Sequence, residues 1–239
     1  MNILSEFIMK ERSHYEINDN NMFAFALGQA SGYYDFLLII LDRYEKASKE
    51  FVSVNEKSMK LMRTQTSETV LVTDEQMRLL EESSRLTTPV HLEIESFYLF
   101  AKVLLDTVAR FLYVYFGQGR GVRPNSHNDL AKHHEKYLEA KGLVIPEGLS
   151  ESIMLLKESI CDYRDDEISH ELSLRRIRAT AWSGSGGARI ASGMMFPRKG
   201  DKTATSAALA QLMKDVNVYI GKVIMLIESN RDKSRLRKD

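Results

Sequence analysis

The chain has 239 residues, of which 44% are apolar and 28% are charged, the composition of an ordinary soluble globular protein with a sizeable core. Its 33 basic and 33 acidic side chains cancel, which excludes a global attraction to nucleic acid or to an anionic membrane and leaves only local patches. The single cysteine, Cys161, excludes an intrachain disulfide and is typical of a reducing compartment. The start lacks the apolar core of a secretory signal, and the apolar run at 36–41 is too short to span a membrane. We therefore expect a cytoplasmic protein that does not bind a membrane.

Two helices are predicted in the first third of the chain. Apolar side chains at steps of three and four predict an amphipathic helix over 21–51, and the polar stretch 55–67 is expected to end it. Thr73 and Gln76 have the spacing of a capping box at the start of a short second helix. All four prolines are expected outside the long helices, at positions 89, 124, 146 and 197.

The strongest helical pattern follows Pro89 and ends at Gly117. Its polar face predicts two ion pairs between residues four apart, Lys102–Asp106 and Asp106–Arg110. Its apolar face is expected to be buried and consists of Phe97, Phe100, Leu104, Val108, Phe111 and Tyr115.

Three more helices and a β-hairpin are predicted in the second half. A short polar helix occupies 126–142, and a helix capped by Ser150 continues to about residue 172. β-leaning residues around the flexible stretch 183–187 predict a hairpin near 175–196. The closing helix has an apolar face and precedes a basic end that is either a disordered, solubilising tail or a contact for phosphate. The residues of that face are Leu209, Leu212, Val216, Ile220, Val223 and Ile227.

These elements predict a mainly α-helical protein. We expect a helical bundle over 90–230 that contains the small β-hairpin, an N-terminal helical extension over 1–89 that packs on the bundle, and a basic tail over 231–239.

One stretch of the chain, CDYRDDEISHEL at 161–172, carries the residues with the clearest chemistry. At 100° per residue, Arg164 continues the apolar side that includes Ile160, so this arginine must be paired or must open into a cleft. His170 lies about 120° further round and about 9 Å along the axis, so the two side chains can meet only across a cleft or a two-fold axis. The alternative is an arginine held in an ion pair with Asp106 or Glu95 and a histidine favoured by the helix dipole.

The pattern of Arg164, the polar Asp165 and His170, late in a helix of an all-α bundle, resembles the HEPN superfamily (higher eukaryotes and prokaryotes nucleotide-binding). The resemblance covers roughly 90–230. It implies a homodimer in which the motif helices of two chains form a composite, metal-independent endoribonuclease site, often in toxin–antitoxin or antiphage systems. Other members have lost catalysis and bind partners.

The resemblance assigns a role to each motif residue. His170 transfers protons, Arg164 binds phosphate through its planar fork, and Asp165 orients one of them. The nearby basic run is expected either to face RNA or to supply solvated charges on an edge strand, and its arginines are Arg175, Arg176 and Arg178.

Two functions remain open on these residues. The first is an endoribonuclease with an RNA substrate and an antitoxin or other protein partner. The second is a catalytically silent dimeric module that binds a partner protein or a nucleotide. The acidic run Asp165, Asp166 and Glu167 argues against nuclease activity, because it repels a polyanion unless arginines neutralise it. The presence of the arginine, the polar residue and the histidine together argues for it.

No metal or other cofactor is expected. His127, His133 and His134 do not have the spacing of a shared metal site, and the glycines at 184–187 lack the rest of a phosphate-binding loop. Cys161 has no histidine nearby in sequence and is expected to be a buried structural thiol.

Overall fold

The structure, a computed structural model, describes residues 1–63, 73–162, 164, 178–181, 192–195 and 208–238. These residues are mostly helical, which confirms the prediction of a mainly α-helical protein. The six α-helices of the described residues are α1 (Ile3–Glu11), α2 (Ile17–Arg63), α3 (Asp74–Phe116), α4 (His127–Ala140), α5 (Leu149–Leu156) and α6 (Ala208–Ser229).

Shorter elements accompany the helices. One 3₁₀ turn, Arg12–His14, follows α1, and another, Arg231–Lys233, follows α6. A π-helical segment, Lys157–Asp162, continues α5. Strands β1 (Arg178–Ala181) and β2 (Ser192–Met195) pair antiparallel, with Arg178 opposite Met195. Residues 182–191 lie outside the described residues, so the predicted hairpin stays a prediction.

The chain divides into two compact units, each built from separate stretches of chain. The first unit consists of Met1–Leu38, Tyr98–Ile168 and Gln211–Asp239, and the second of Ile39–Phe97 and Ser169–Ala210. The long helices α2 and α3 each contribute to both units. The predicted division at residues 89 and 230 is not tested by these bounds and stays a prediction.

Helix α2 is longer than the sequence pattern predicts, because the polar stretch after residue 55 stays helical as far as Arg63. Polar side chains lower helix propensity only slightly, and burial on one face outweighs that loss. Val54 and Ser58 are buried there, and the Asn55 side chain donates a 2.7 Å hydrogen bond to the carbonyl of Phe51. The predicted end of this helix near residue 51 is therefore wrong.

Helix α3 begins where the capping box predicts, but it does not stop before Pro89. The Thr73 amide donates to Gln76 Oε1 at 2.9 Å, and the Gln76 amide donates to Thr73 Oγ1 at 3.2 Å. The helix then runs for 43 residues with Pro89 inside it. The proline ring removes one intrahelical hydrogen bond, and the buried Val90 and Ile94 directly after it keep the helix packed. The expectation that each proline lies outside a long helix is wrong here.

An aromatic cluster forms the centre of the first unit. Phe7, Tyr15, Phe23, Phe111 and Tyr115 are buried, and their neighbouring ring centroids lie 5.3 to 6.2 Å apart in tilted or edge-on pairs. Such pairs add to the stabilisation that burial alone provides. The predicted apolar face of α3 is buried except for the half-buried Phe100, and the predicted face of α6 is buried throughout.

The basic C-terminal end packs onto the first unit. Arg231 donates three hydrogen bonds of 2.8 to 3.1 Å to the carboxylate of Glu11, which is completely buried. Tyr15 donates a fourth, at 3.0 Å, and its hydroxyl also contacts the hydroxyl of Tyr115. Leu236 is buried. The tail is therefore ordered as far as residue 238, and the expectation of a disordered end is wrong because Arg231 binds Glu11 of α1 and the Arg235 amide donates to the Tyr115 carbonyl of α3.

Among the described residues, one helix is long and apolar enough to cross a membrane by length and composition. This is Ile17–Leu61, whose most apolar window has a mean hydropathy of 1.3 and is 33% buried. A core helix of a soluble protein passes the same test, so the result does not by itself indicate a span.

Candidate functional site

The helix that leads to the motif begins at Leu149, after a left-handed glycine. Gly148 has φ 71° and its carbonyl accepts a 2.6 Å hydrogen bond from Lys222 Nζ of α6, which also donates to Ser152 Oγ at 2.9 Å. The positive φ at Gly148 favours glycine, and a Cβ there would lie 2.5 Å from Lys222 Nζ and displace the end of that side chain. The prediction that Ser150 caps this helix is wrong, because Ser150 lies inside its first turn.

The helix changes from α to π geometry over Lys157–Asp162, directly before the motif arginine. In a π-helix each amide bonds five residues back, so the turn is wider and the 100° step no longer applies. The Ser159 hydroxyl donates a 2.7 Å hydrogen bond to the Leu155 carbonyl. Lys157 Nζ bonds both carboxylate oxygens of Asp162, at 3.0 and 2.8 Å, across the outside of the segment. Segments of this kind occur frequently at functional sites.

Arg164 is half-buried at the end of this segment. Ile160 and Cys161, four and three residues before it, are completely buried. Cys161 is a free thiol with no solvent exposure, which confirms the prediction of a buried cysteine. The arginine stem therefore begins at a packed surface, and only part of the side chain reaches solvent.

The remaining motif residues lie outside the described part of the chain. Asp165, His170, Arg175 and Arg176 are among them. Arg178 begins β1, where its backbone pairs with Met195. Whether Arg164 and His170 of two chains meet in one cleft stays a prediction.

A charged pair from α3 lies beneath α4 in the first unit. Asp106 Oδ1 accepts hydrogen bonds from Lys102 Nζ at 2.6 Å and from the His127 amide at 2.7 Å. Lys102 is buried and Asp106 is half-buried, and the predicted Lys102–Asp106 pair is confirmed. Arg110 instead donates to Thr107 Oγ1 at 3.2 Å. The predicted Asp106–Arg110 pair is wrong, because Asp106 is directed towards the start of α4.

His127 is completely buried and neutral at the start of α4. Its Nε2 lies 3.1 Å from the Ile153 carbonyl of α5, so Nε2 carries the proton and donates it. Its Nδ1 has no hydrogen-bond partner within the described part of the chain. Burial lowers the pKa of His127 to about 4; the Ile153 carbonyl opposes this shift and Lys102 adds to it. A protonated imidazole would therefore be strongly disfavoured here.

Tyr219 of α6 closes this buried cluster. Its ring stands edge-on to His127, with ring centroids 5.4 Å apart and an interplanar angle of 89°. Burial raises the pKa of its phenol, and its hydroxyl has no partner among the residues that the structure describes. We call Lys102, Asp106, His127 and Tyr219 the buried polar cluster. It joins α3, α4, α5 and α6, the helices that carry and support the motif segment.

The histidines of α4 point in different directions. His134 is buried and its Nδ1 lies 2.9 Å from the Ala131 carbonyl, whereas His133 is half-buried on another side of the helix. Within residues 1–63, 73–162 and the other described ranges, no group of three histidine, cysteine, aspartate or glutamate side chains could hold a metal ion.

Comparison with models of known protein families, with curated proteins and with solved structures gives no match to this chain. The resemblance to HEPN proteins therefore depends on the motif residues and on the helical character of the protein.

Proposed function

We propose that this protein is a homodimeric endoribonuclease of HEPN type, which cleaves RNA without a metal ion at a site formed by Arg164, Asp165 and His170 of two chains. The observation that supports the proposal most directly is the half-buried position of Arg164 at the end of a π-helical segment whose inner residues are fully buried. A packed base restricts the arginine stem, so its guanidinium loses less entropy when it binds phosphate.

The proposed reaction needs no external nucleophile. The 2′-hydroxyl of RNA attacks the adjacent phosphorus, the O2′–P bond forms and the P–O5′ bond breaks, which leaves a 2′,3′-cyclic phosphate and a 5′-hydroxyl. One His170 accepts the proton of the 2′-hydroxyl, and His170 of the second chain protonates the leaving O5′. Arg164 binds two phosphate oxygens and offsets the charge that develops on them. Asp165 orients one of these side chains.

The buried polar cluster supports the proposal by joining the helices that lead to Arg164. His127 joins α4 to α5 through Ile153, and Lys222 joins α6 to the start of α5. A catalytic side chain needs such a frame, because misplacement by about 1 Å lowers the rate roughly a hundredfold.

The proposal includes a cellular setting. The enzyme acts in the cytoplasm and is restrained by an antitoxin or other protein partner. Arg175, Arg176 and Arg178 offset the acidic residues that follow Arg164, so that an RNA strand can approach. If the protein has no nuclease activity, the second function applies, a silent module that binds a partner protein or a nucleotide.

The test compares four proteins on structured RNA in the presence of EDTA: wild type, His170→Ala, Arg164→Lys and the control His14→Ala. His14 is exposed in the first 3₁₀ turn. We expect cleavage by wild type and by the His14 variant, products with cyclic phosphate ends, and no cleavage by the His170 variant. A well-folded wild-type dimer that cleaves none of the RNAs tested would refute the nuclease. Cleavage by His170→Ala at the wild-type rate would refute the assignment of the site.

A further inference from the structure

A second surface of the first unit has the chemistry of an anion site. The loop after α3 and one side of α4 enclose an open cleft of about 410 Å³. Arg120, Arg123 and Lys136 line it and are exposed, together with the half-buried His133 and the carboxylate of Asp129. The lining therefore contains three permanent cations and one carboxylate, although the chain as a whole has no net charge.

Arg120 occupies a backbone position that is unfavourable for arginine. Gly119 and Val122 exchange backbone hydrogen bonds of 3.2 and 2.8 Å, which closes a tight turn. Its two central residues both have positive φ, 44° at Arg120 and 78° at Gly121. A turn of this type prefers Asn-Gly, because asparagine tolerates the left-handed region and arginine does not. The turn places the guanidinium of Arg120 at its tip in spite of this backbone strain.

Arg123 is held in place from the other side of the loop. Its guanidinium carbon lies 4.6 Å from the centre of the half-buried Tyr113 ring. Stacking on an aromatic face restricts the planar fork and leaves its N–H groups free to donate in the plane. The guanidinium groups of Arg120 and Arg123, on the loop, and the ammonium group of Lys136, on α4, therefore line one cleft.

The acidic groups nearby do not neutralise the cleft. Asp129 accepts a 2.9 Å hydrogen bond from the Ser126 hydroxyl, so this carboxylate already has a partner at the start of α4. Glu139 lies 3.7 Å from Arg120, but both side chains are more than 60% exposed. An exposed pair of this kind is weak, and a phosphate can replace it.

We propose that this cleft binds the phosphodiester backbone of a single-stranded nucleic acid, with Arg120 and Arg123 on phosphate oxygens and Lys136 as a third cation. Planar guanidinium groups bind phosphate through two parallel hydrogen bonds, and a basic groove that follows the backbone is typical of single-strand binding. The choice of RNA as the strand rests on the proposed nuclease, whereas the phosphate site itself does not.

The test measures binding by fluorescence anisotropy with a 2′-O-methyl RNA, which lacks the attacking hydroxyl and cannot be cleaved by transesterification. Its result is therefore independent of nuclease activity. The test variant is Arg120→Asn/Arg123→Gln, and Arg120→Asn alone reports folding because asparagine suits φ 44° and should raise the melting temperature. The matched control is Lys57→Gln/Lys60→Gln, which removes two cations from the charged cleft of the second unit.

We expect the arginine double variant to lose roughly 25-fold in affinity at 0.1 M salt, with a salt slope smaller by about 1.4, since each single-strand phosphate contact contributes about 0.7. The lysine control should stay within about twofold of wild type. DNA of the same sequence that binds equally well and with the same arginine dependence supports a backbone site. The proposal would be overturned if both double variants lost affinity equally, or if the arginine variant kept the wild-type affinity. It would also be overturned if polyglutamate bound as tightly as RNA and with the same dependence on the arginines.

Discussion

The neutral, buried His127 predicts that the protein loses stability in mild acid. The folded protein lowers the pKa of this imidazole from 6.5 to about 4, chiefly by burial. Between these two values the unfolded chain binds a proton that the folded chain does not, so the unfolded state gains stability as the pH falls. The stability that depends on a neutral His127 is therefore fully present above pH 6.5, and the free energy of unfolding falls as the pH decreases from 6.5 to about 4.

The size of this effect follows from the two pKa values. Linkage between 6.5 and about 4 gives a loss of about 2 kcal/mol from pH 7 to pH 5, and about 3 kcal/mol by pH 4. The lone pair of Nδ1 has no hydrogen-bond partner in the described residues to offset the loss. Lys102, which is buried nearby, opposes protonation, and Asp106 favours it. A change of 2 kcal/mol is a large share of the stability of a typical domain.

The assay compares urea unfolding at pH 7 and pH 5 for wild type and His127→Gln. Glutamine can still donate to the Ile153 carbonyl but does not titrate in this range. The variant should be less stable than wild type at pH 7 and should lose about 2 kcal/mol less on going to pH 5. His14→Gln replaces an exposed histidine and is the matched control. A variant with the same pH dependence as wild type would refute the assignment of the neutral state to His127.

Three further predictions concern single contacts. Arg231→Ala leaves the buried carboxylate of Glu11 without its main partner and should lower the free energy of unfolding, measured in urea, by about 3 kcal/mol. The control Lys10→Ala removes an exposed ion pair and should change this free energy by less than about 1 kcal/mol. Thr73→Ala removes one half of the capping box and should lower the stability by about 1 kcal/mol in the same measurement. Arg164→Lys keeps the charge but not the planar fork and should slow RNA cleavage roughly tenfold or more in a single-turnover assay, and a wild-type rate would contradict a bidentate phosphate contact.

The helices could be predicted from the sequence wherever burial produces a period. The inner faces of α3 and α6 repeat apolar residues every three or four positions, and the structure buries all of them except the half-buried Phe100. The capping box at Thr73 is a local interaction between residues three apart, so its spacing alone identifies it. The pair Lys102–Asp106 is recognisable for the same reason.

The ends and irregularities of helices depend on contacts that sequence spacing does not contain. Pro89 stays inside α3 because the residues after it are packed, and α2 passes through a polar stretch because one face remains buried. Gly148 starts α5 without a side-chain cap, and its carbonyl accepts a hydrogen bond from Lys222, a residue distant in sequence. The π-helical segment before Arg164 has no signal in the apolar pattern.

The candidate site shows the same limit. The motif residues could be selected from the sequence, because their chemistry is local and their order is recognisable. The buried polar cluster could not, since His127 meets Asp106, Ile153 and Tyr219 only through the packing of four helices. A histidine followed by an aspartate two residues later looks like an ordinary helix start.

The discontinuous make-up of the first unit has a consequence for biosynthesis. Its final stretch, Gln211–Asp239, supplies most of α6, whose buried side chains face the same interior as those of the two earlier stretches. A ribosome must therefore translate past α6 before this interior can close. Until then the nascent chain exposes aromatic surface from α3 that the finished unit buries.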